Sequence, residues 1–331
     1  MHFAGAADGI LLIDEWQHLP EAWDSVRRQV DDGAVPGRFL LTGSATPAPG
    51  RGTHSGAGRI MSVRMRPMGL YERVLHTTTV SLRALPDLQS VPMRGAQRRL
   101  DAYLTRVVDG DLPDQGYTLR SPETLRRWLA AYAAASSTCT AYSRILDATT
   151  GGDGAQPAKT TTIAYRDHLT QLWLLDRIPA WAPALNNPFR RLAMREKHQL
   201  ADPAFAARLL GLTAGDLGNE RGAVMAGPLF ESLAALTVRV AAHGADAAVG
   251  HLRTQNGDHE VDLIVSGPEG QVLGVEVKLA GWIEDRDVKH LHWLRDQLGE
   301  RVVGLVVLYS GSRAYRRADG VAVVPLALLG E

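Results

Sequence analysis

An unbroken apolar run close to the start of the chain constrains the fold more than any other segment. Residues 9–13 read Gly-Ile-Leu-Leu-Ile, and Asp14 and Glu15 follow directly. Strands that are apolar at every position are typical of parallel sheets covered on both faces. Such sheets bind ligands at the carboxyl ends of their strands. The run therefore predicts a buried strand of an α/β domain, with Asp14 and Glu15 where a Mg²⁺-nucleotide would bind.

A helix and a second strand continue this pattern. Residues 21–30 have a helical distribution of apolar side chains, and residues 38–41 read Arg-Phe-Leu-Leu before the small polar residues Thr42 and Ser44. The order strand, helix, strand predicts neighbouring parallel strands. Residues 46–58 are rich in Pro, Gly, Ser and Thr, so we expect a loop there.

The sequence pattern contains no phosphate-binding loop. That loop needs a glycine-rich turn followed by Lys and Ser or Thr at a helix N-terminus. None of the four lysines completes the pattern; they are Lys159, Lys197, Lys278 and Lys289. We therefore expect no useful ATP hydrolysis unless the loop is supplied from elsewhere, because phosphoryl transfer depends on positioning the phosphates. We also expect an incomplete sheet edge, open to a protein partner or to self-association.

Composition excludes several classes of protein. Lys plus Arg and Asp plus Glu both total 36 among 331 residues, so no overall positive field attracts nucleic acid or an anionic membrane, and any contact with DNA is local. A single cysteine, Cys139, excludes an intrachain disulfide and a multi-cysteine zinc site. The start has no secretory signal pattern, and the apolar residues 302–309 are too few to span a membrane. We expect a cytoplasmic protein without a membrane partner.

The middle of the chain predicts a helical connector. Residues 97–108 and 161–175 have helical patterns, and Ser121 and Pro122 supply an N-cap and a first-turn proline for another helix. A short strand is expected near residues 177–181. Helices at this spacing, followed by a strand, resemble a winged-helix module.

A basic stretch follows the connector. Its positive side chains are Arg190, Arg191, Arg195 and Lys197. Contact with nucleic-acid phosphates is one interpretation. Solvated charge on a strand is the commoner origin of such a pattern, and we expect it here.

The last hundred residues show the clearest order of elements. Turn-rich clusters at residues 255–258 and 266–270 predict two hairpins. The predicted elements are a helix at 228–243, strands at 247–253, 260–265 and 272–278, a helix at 284–298 and a strand at 302–309. This order is αβββαβ.

Two carboxylates and a lysine stand at the strand ends of this segment. Asp262 lies at the start of the second strand, and Glu276 and Lys278 close the third. Residues i and i+2 of a strand share a face, and a hairpin brings Asp262 beside them. The carboxylates suit Mg²⁺, while the lysine orients a water molecule or offsets the charge that develops in phosphodiester hydrolysis. Glu231, on the preceding helix, is a further candidate ligand.

These residues resemble the motif of the PD-(D/E)XK nuclease superfamily, whose core has the same element order. The resemblance covers residues 222–310 and lies in Glu231, Asp262, Glu276 and Lys278. Lysine at position 278 supports it, because this chain otherwise carries positive charge almost always on arginine. The alternative is a solvated face of an amphipathic hairpin, since Val-Glu-Val-Lys fits any half-exposed strand.

A second resemblance covers the whole chain. Residues 11–17, 39–44, 56–59 and 66–72 together resemble a family of prokaryotic AAA-type (archaeal-ATPase-like) proteins. These join an ATPase core to a C-terminal domain of unknown function that contains a helical module and a nuclease-like fold. The first strand and phosphate loop of that family have no counterpart here, which predicts an N-terminally truncated core.

The resemblance implies roles for five residues. Asp14 would coordinate Mg²⁺, Glu15 would polarise the attacking water, Thr42 or Ser44 would sense the γ-phosphate, and Arg59 would contact phosphate or the next subunit. The alternative for Asp14 and Glu15 is that acidic residues often follow a buried strand as its first solvated positions or as a helix cap.

The predicted protein is thus α/β with three parts. Residues 1–80 form a partial P-loop NTPase-type parallel sheet, residues 95–200 a helical, winged-helix-like connector, and residues 201–331 an αβββαβ restriction-endonuclease-like domain. Two functions stay open. The C-terminal domain cleaves nucleic acid with Mg²⁺, or it is a non-catalytic module that binds nucleic acid or protein beside a vestigial nucleotide site.

Overall fold

A computed structural model of the chain describes residues 9–44, 58–73, 93–150, 157–181, 195–254 and 257–330. Within them the chain is a mixed α/β protein. A two-stranded parallel sheet lies near the start, helices follow, and a six-stranded mixed sheet occupies the C-terminal third.

The predicted strand–helix–strand unit is present near the start. Strand β1 (Leu11–Ile13) pairs in parallel with β2 (Phe39–Leu41), and helix α1 (Pro20–Asp31) connects them. The predicted burial on both faces is wrong for the described residues, because Leu12 and Leu40 face each other in register and are 57% and 53% exposed. Side chains alternate between the faces of a strand, so these two lie on the face that the described residues leave uncovered.

The middle of the chain is helical, as predicted. The helices are α2 (Met93–Arg106), extended by a π-helical turn (Val107–Asp111) and a short turn (Leu112–Asp114), α3 (Pro122–Ala134), α4 (Tyr142–Ala148) and α5 (Lys159–Gln171). Ser121 caps α3 as predicted, because its Oγ accepts from the N–H of Thr124 at 3.3 Å. Trp128 and Tyr132 of α3 are fully buried and anchor the core of these helices.

An irregular ladder joins these helices to the C-terminal sheet. Residues 174–178 pair with residues 197–201 in antiparallel fashion, with Ile178 opposite Lys197. Two residues further along, Ala180 bridges His251 of the C-terminal sheet in parallel. The strand predicted near residues 177–181 is therefore a set of isolated bridges.

The C-terminal elements follow the predicted αβββαβ order and add two short strands. They are α6 (Pro203–Leu209), α7 (Ala214–Leu217), α8 (Ala223–Gly244), β3 (Ala248–Arg253), β4 (Glu260–Ser266), β5 (Val272–Lys278), α9 (Asp285–Leu298), β6 (Val302–Tyr309), β7 (Tyr315–Arg316) and β8 (Ala322–Pro325). The sheet order is β3-β4-β5-β6-β8-β7. β3, β4 and β5 are antiparallel neighbours, and β5, β6 and β8 run parallel.

Helices α8 and α9 belong to two separate apolar clusters on this sheet. Ala234, Ala235 and Val238 of α8 pack with Val275 and Val277 of β5, whereas α9 packs with the other cluster. Because strand side chains alternate, the residues of β5 between those valines point away from α8. Helix α8 is long and apolar enough to cross a membrane, but core helices of soluble proteins meet the same two criteria.

The segment 58–73 is docked on the C-terminal half of the chain. Arg66 Nε lies 2.8 Å from Asp176 Oδ2, and the N–H of Leu70 donates to Thr237 Oγ1 of α8 at 3.2 Å. The described part of the N-terminal region therefore contacts both the connector and the C-terminal domain.

Candidate active site

The β4–β5 hairpin brings the two predicted carboxylates together. Leu263 pairs with Val275 in antiparallel register, so Asp262 and Glu276 stand opposite each other one step further along. Asp262 Oδ2 accepts the backbone N–H of Val277 at 2.9 Å, which fixes its carboxylate against β5. Both carboxylates are therefore available to one site, as the sequence predicts.

Lys278 joins this pair. Its Nζ lies 2.8 Å from Glu276 Oε2, as expected for residues i and i+2 on one face of a strand. Glu276 is only 3% exposed, and its Oε1 has no hydrogen-bond partner within the described residues. An unpartnered buried carboxylate oxygen is costly, so it marks a position where an additional ligand would be favourable.

A second lysine, which the sequence interpretation missed, completes the cluster. Lys197 Nζ lies 2.8 Å from Glu231 Oε1, 3.3 Å from Asp262 Oδ1 and 3.5 Å from Glu260 Oε1. The prediction of solvated charge is wrong for Lys197, because its strand pairing with Ile178 directs the side chain into the protein, where it is 1% exposed. The scarcity of lysine does not single out position 197, because it applies equally to Lys159 and Lys289, which are both exposed. Glu231 is thus joined to the cluster through this lysine.

Burial raises the pKa of two of the carboxyl groups. The pKa of Glu276 is raised well above its ordinary value. Burial is the largest cause and the charge of Asp262 the second, while Lys278 opposes the shift. The same two causes raise the pKa of Glu231 to about 7, with Lys197 opposing. These two groups are therefore poised to take up a proton or a cation.

Asp262 and the two lysines keep their charge. Burial alone would raise the pKa of Asp262, but Lys197 and Lys278 hold it below its ordinary value. Burial alone would lower the pKa of each lysine, yet the surrounding carboxylates outweigh it and raise both values. The site therefore contains two ammonium groups and one firmly ionised carboxylate.

The balance of charge suits a hard cation. Four carboxyl groups face two ammonium groups, and an excess of two negative charges exists only when all four are ionised, so a cation must displace the proton that the raised pKa of Glu276 favours. Carboxylate oxygens are ligands that Mg²⁺ prefers, and Mg²⁺ is often held by one or two carboxylates with water completing its shell. Among the residues that the structure describes, no three His, Cys, Asp or Glu side chains are grouped as a metal site. The fit is therefore to the pair Asp262 and Glu276, including the unpartnered Oε1 of Glu276.

The N-terminal candidate residues meet at the ends of β1 and β2. Thr42 Oγ1 donates to Asp14 Oδ1, and Ser44 Oγ lies 3.3 Å from Glu15 Oε2. Parallel pairing of β1 and β2 produces this arrangement, because the carboxyl ends of parallel strands lie at the same edge. Arg59, by contrast, forms an ion pair with Asp31 of α1. The structure thus brings Asp14, Glu15, Thr42 and Ser44 together.

Three sequence families match consecutive parts of the chain. An AAA domain matches residues 2–74, a domain of unknown function (DUF8612) residues 86–216, and a second domain of unknown function (DUF4143) residues 226–329. These matches support an AAA-type, ATPase-like family. Uncharacterised proteins of Mycobacterium tuberculosis and Mycobacterium bovis are each 27% identical over 329 residues, covering 96% of this chain and 68% of their own. No solved structure matches the chain.

The two candidate sites fall in different matched domains. The AAA domain contains Asp14 and its neighbours, and the DUF4143 domain contains Asp262, Glu276 and Lys278. Lys197 lies in the DUF8612 domain, so the C-terminal cluster is assembled from two domains.

Proposed function

We propose that the C-terminal domain of this AAA-type, ATPase-like protein is a Mg²⁺-dependent phosphodiesterase that cleaves nucleic acid. The observation that carries the proposal is the convergence of Asp262, Glu276 and Lys278 at one end of the β4–β5 hairpin, where Glu276 Oε1 has no hydrogen-bond partner in the described part of the chain. Paired carboxylates beside a lysine are the groups that metal-assisted phosphodiester hydrolysis requires.

Each residue has a separate task in this proposal. Asp262 and Glu276 hold the cation, which when bound supplies Lewis-acid activation of the phosphodiester. Lys278 keeps its proton because its neighbours raise its pKa, so it acts as a cationic donor to a phosphate oxygen and not as a base. Its side chain is 31% exposed, which leaves the ammonium accessible to a substrate.

For the N-terminal region we propose nucleotide binding at the edge formed by β1 and β2. Asp14 would hold Mg²⁺, Glu15 would orient water, and Thr42 or Ser44 would contact phosphate; Arg59 would reach a phosphate only after leaving Asp31. ATP binding there also needs a phosphate loop to complete the site. We further propose that the protein works in the cytoplasm on DNA, with the open face of β1 and β2 available to a partner protein or a second copy.

Cleavage assays on a lysine variant test the phosphodiesterase proposal. Plasmid DNA and single-stranded DNA are incubated with the full chain and Mg²⁺, and products are resolved by electrophoresis. Lys278→Ala should reduce cleavage about 100-fold, the usual loss when one donor to a developing negative charge is removed. Lys289→Ala, an exposed lysine on α9, is the matched control and should cleave as the parent does. Equal cleavage by both variants would show that the site is misassigned.

A second function is favoured by the position of Lys197. Its ammonium lies within 3.5 Å of three carboxylates and could neutralise the cluster without any metal, leaving a module that binds nucleic acid without cutting it. In that case the parent protein retards DNA in gel-shift assays at all Mg²⁺ concentrations and yields no cleavage products.

A further inference from the structure

The two oxygens of the Asp262 carboxylate have different partners. Oδ2 accepts a backbone N–H from β5, and Oδ1 lies 3.3 Å from Lys197 Nζ. A carboxylate oxygen that accepts one hydrogen bond keeps a lone pair for a cation, so both oxygens of Asp262 remain possible ligands. A cation bound at Oδ1 would share that oxygen with an ammonium group.

Lys197 is held firmly in this position. Its backbone N–H and C=O both pair with Ile178 at 3.0 Å, and its side chain is 1% exposed. Glu231 Oε1 accepts from the same Nζ at 2.8 Å, which anchors the ammonium from the side of α8. Moving the ammonium away from Asp262 would therefore also disturb its contact with Glu231.

The two oxygens of the Glu276 carboxylate also differ in their partners. Glu276 Oε2 accepts from Lys278, whereas Oε1 is buried and has no partner within the described residues. An incoming divalent ion would therefore meet one open oxygen on Glu276 and one contested oxygen on Asp262.

We propose that Lys197 is a built-in competitor for the divalent cation, which holds Asp262 Oδ1 and keeps the affinity of the site for metal low. The inference rests on the proposed function, because it concerns the cation site of the phosphodiesterase. Two positive charges that share one carboxylate oxygen repel each other strongly in a buried environment. Binding of the metal at Oδ1 thus requires that the contact between Lys197 and Asp262 be lengthened.

The test removes the ammonium without changing the net charge. The double variant Lys197→Met/Glu231→Gln deletes one positive and one negative group that contact each other, so neither is left buried without its partner. Lys289→Met/Glu300→Gln makes the same two substitutions at exposed positions and serves as the control. Binding of Mn²⁺ alone to the full chain is followed by electron paramagnetic resonance.

The double variant should bind Mn²⁺ about tenfold more tightly than the parent, because relief of the repulsion at Asp262 outweighs the loss of the Glu231 charge, which does not contact the Asp262–Glu276 pair directly. Adding Asp262→Asn to the double variant should abolish this gain in affinity for Mn²⁺. Unchanged or weaker binding by the double variant, with measurable binding by the parent, would overturn the role of Lys197 and leave the cation site in place. Absence of Mn²⁺ binding in parent and variant alike would instead refute the cation site itself, and with it the proposed function.

Discussion

Asp176 is the most informative position at which to perturb the contact between the N-terminal segment and the rest of the chain. Its carboxylate, 5% exposed, accepts from Arg64 Nη1 at 2.7 Å, Arg66 Nε at 2.8 Å and Arg239 Nη2 at 2.8 Å. Arg64 and Arg66 belong to the docked segment 58–73, and Arg239 belongs to α8. One negative charge therefore holds together three guanidinium groups from two parts of the chain.

The expected loss in the free energy of unfolding follows from this excess of positive charge. The pKa of Arg239 is lowered to about 10, and burial is the largest cause. Asp176 opposes this shift, whereas the charges of Arg66 and Arg64 contribute to it, so the guanidinium groups already repel one another. Asp176→Asn keeps the shape but leaves three cations without a counter-charge. Removing one partner of a buried ion pair costs about 3–5 kcal/mol. We expect about 3 kcal/mol, at the lower end of that range, because the arginine side chains retain 11–19% exposure and some hydration.

Equilibrium unfolding in urea measures this loss. The matched control is Asp109→Asn, which breaks an exposed arginine–aspartate pair at 3.0 Å whose side chains are 41% and 48% exposed, and which should cost less than about 1 kcal/mol. Arg64→Leu should cost less than Asp176→Asn, because it relieves repulsion while it removes a contact. Equal losses for the two Asp→Asn variants would refute the reasoning that burial makes Asp176 special.

Two further predictions concern the ladder and strand β3. The pKa of His251 is lowered from 6.5 to about 4, mainly by burial and also by the charge of Lys197, so the imidazole is neutral in the native state. The contribution of this neutral imidazole to the free energy of unfolding is fully present above pH 6.5 and is lost as the pH falls towards 4. The parent should therefore lose about 3 kcal/mol more than His251→Gln between pH 7 and pH 4 in urea unfolding, and parallel pH profiles would contradict this. A Cβ at Gly250 would lie 2.8 Å from Trp181 Cβ, so Gly250→Ala should lower the free energy of unfolding by about 1–3 kcal/mol. Gly244→Ala, where a Cβ meets nothing within 4 Å, should not, and equal effects would show that the close approach is unimportant.

The spacing of apolar residues and the residues that favour turns depend only on nearby positions, so the sequence predicts most of the local structure of this chain. The αβββαβ order and the cap at Ser121 follow from alternation, turn residues and a serine–proline pair, and both are present. The approach of Asp262 to Glu276 follows from the hairpin, since two adjacent strands leave few registers once their apolar faces are fixed.

Lys197 and the open face of β1 could not be predicted in the same way. The side chain of Lys197 is directed by a ladder with residues 174–178, whose isolated bridges leave no periodic pattern in the sequence. The exposure of Leu12 depends on which elements cover the sheet, whereas an apolar strand has the same composition whether one face or both are covered. Both features are tertiary, and single-sequence patterns report them poorly.

Cleavage by a Glu276→Gln variant tests the central claim most directly, because this substitution removes the carboxylate with the unpartnered oxygen and preserves its size. We expect the full chain to cleave DNA with Mg²⁺ and to stop when the metal is chelated. Glu276→Gln should fold as stably as the parent, since its buried carboxyl group already has a raised pKa, and should cleave about 100-fold more slowly. Undiminished cleavage by a folded Glu276→Gln protein, or no cleavage by the parent at any Mg²⁺ concentration, would contradict the account.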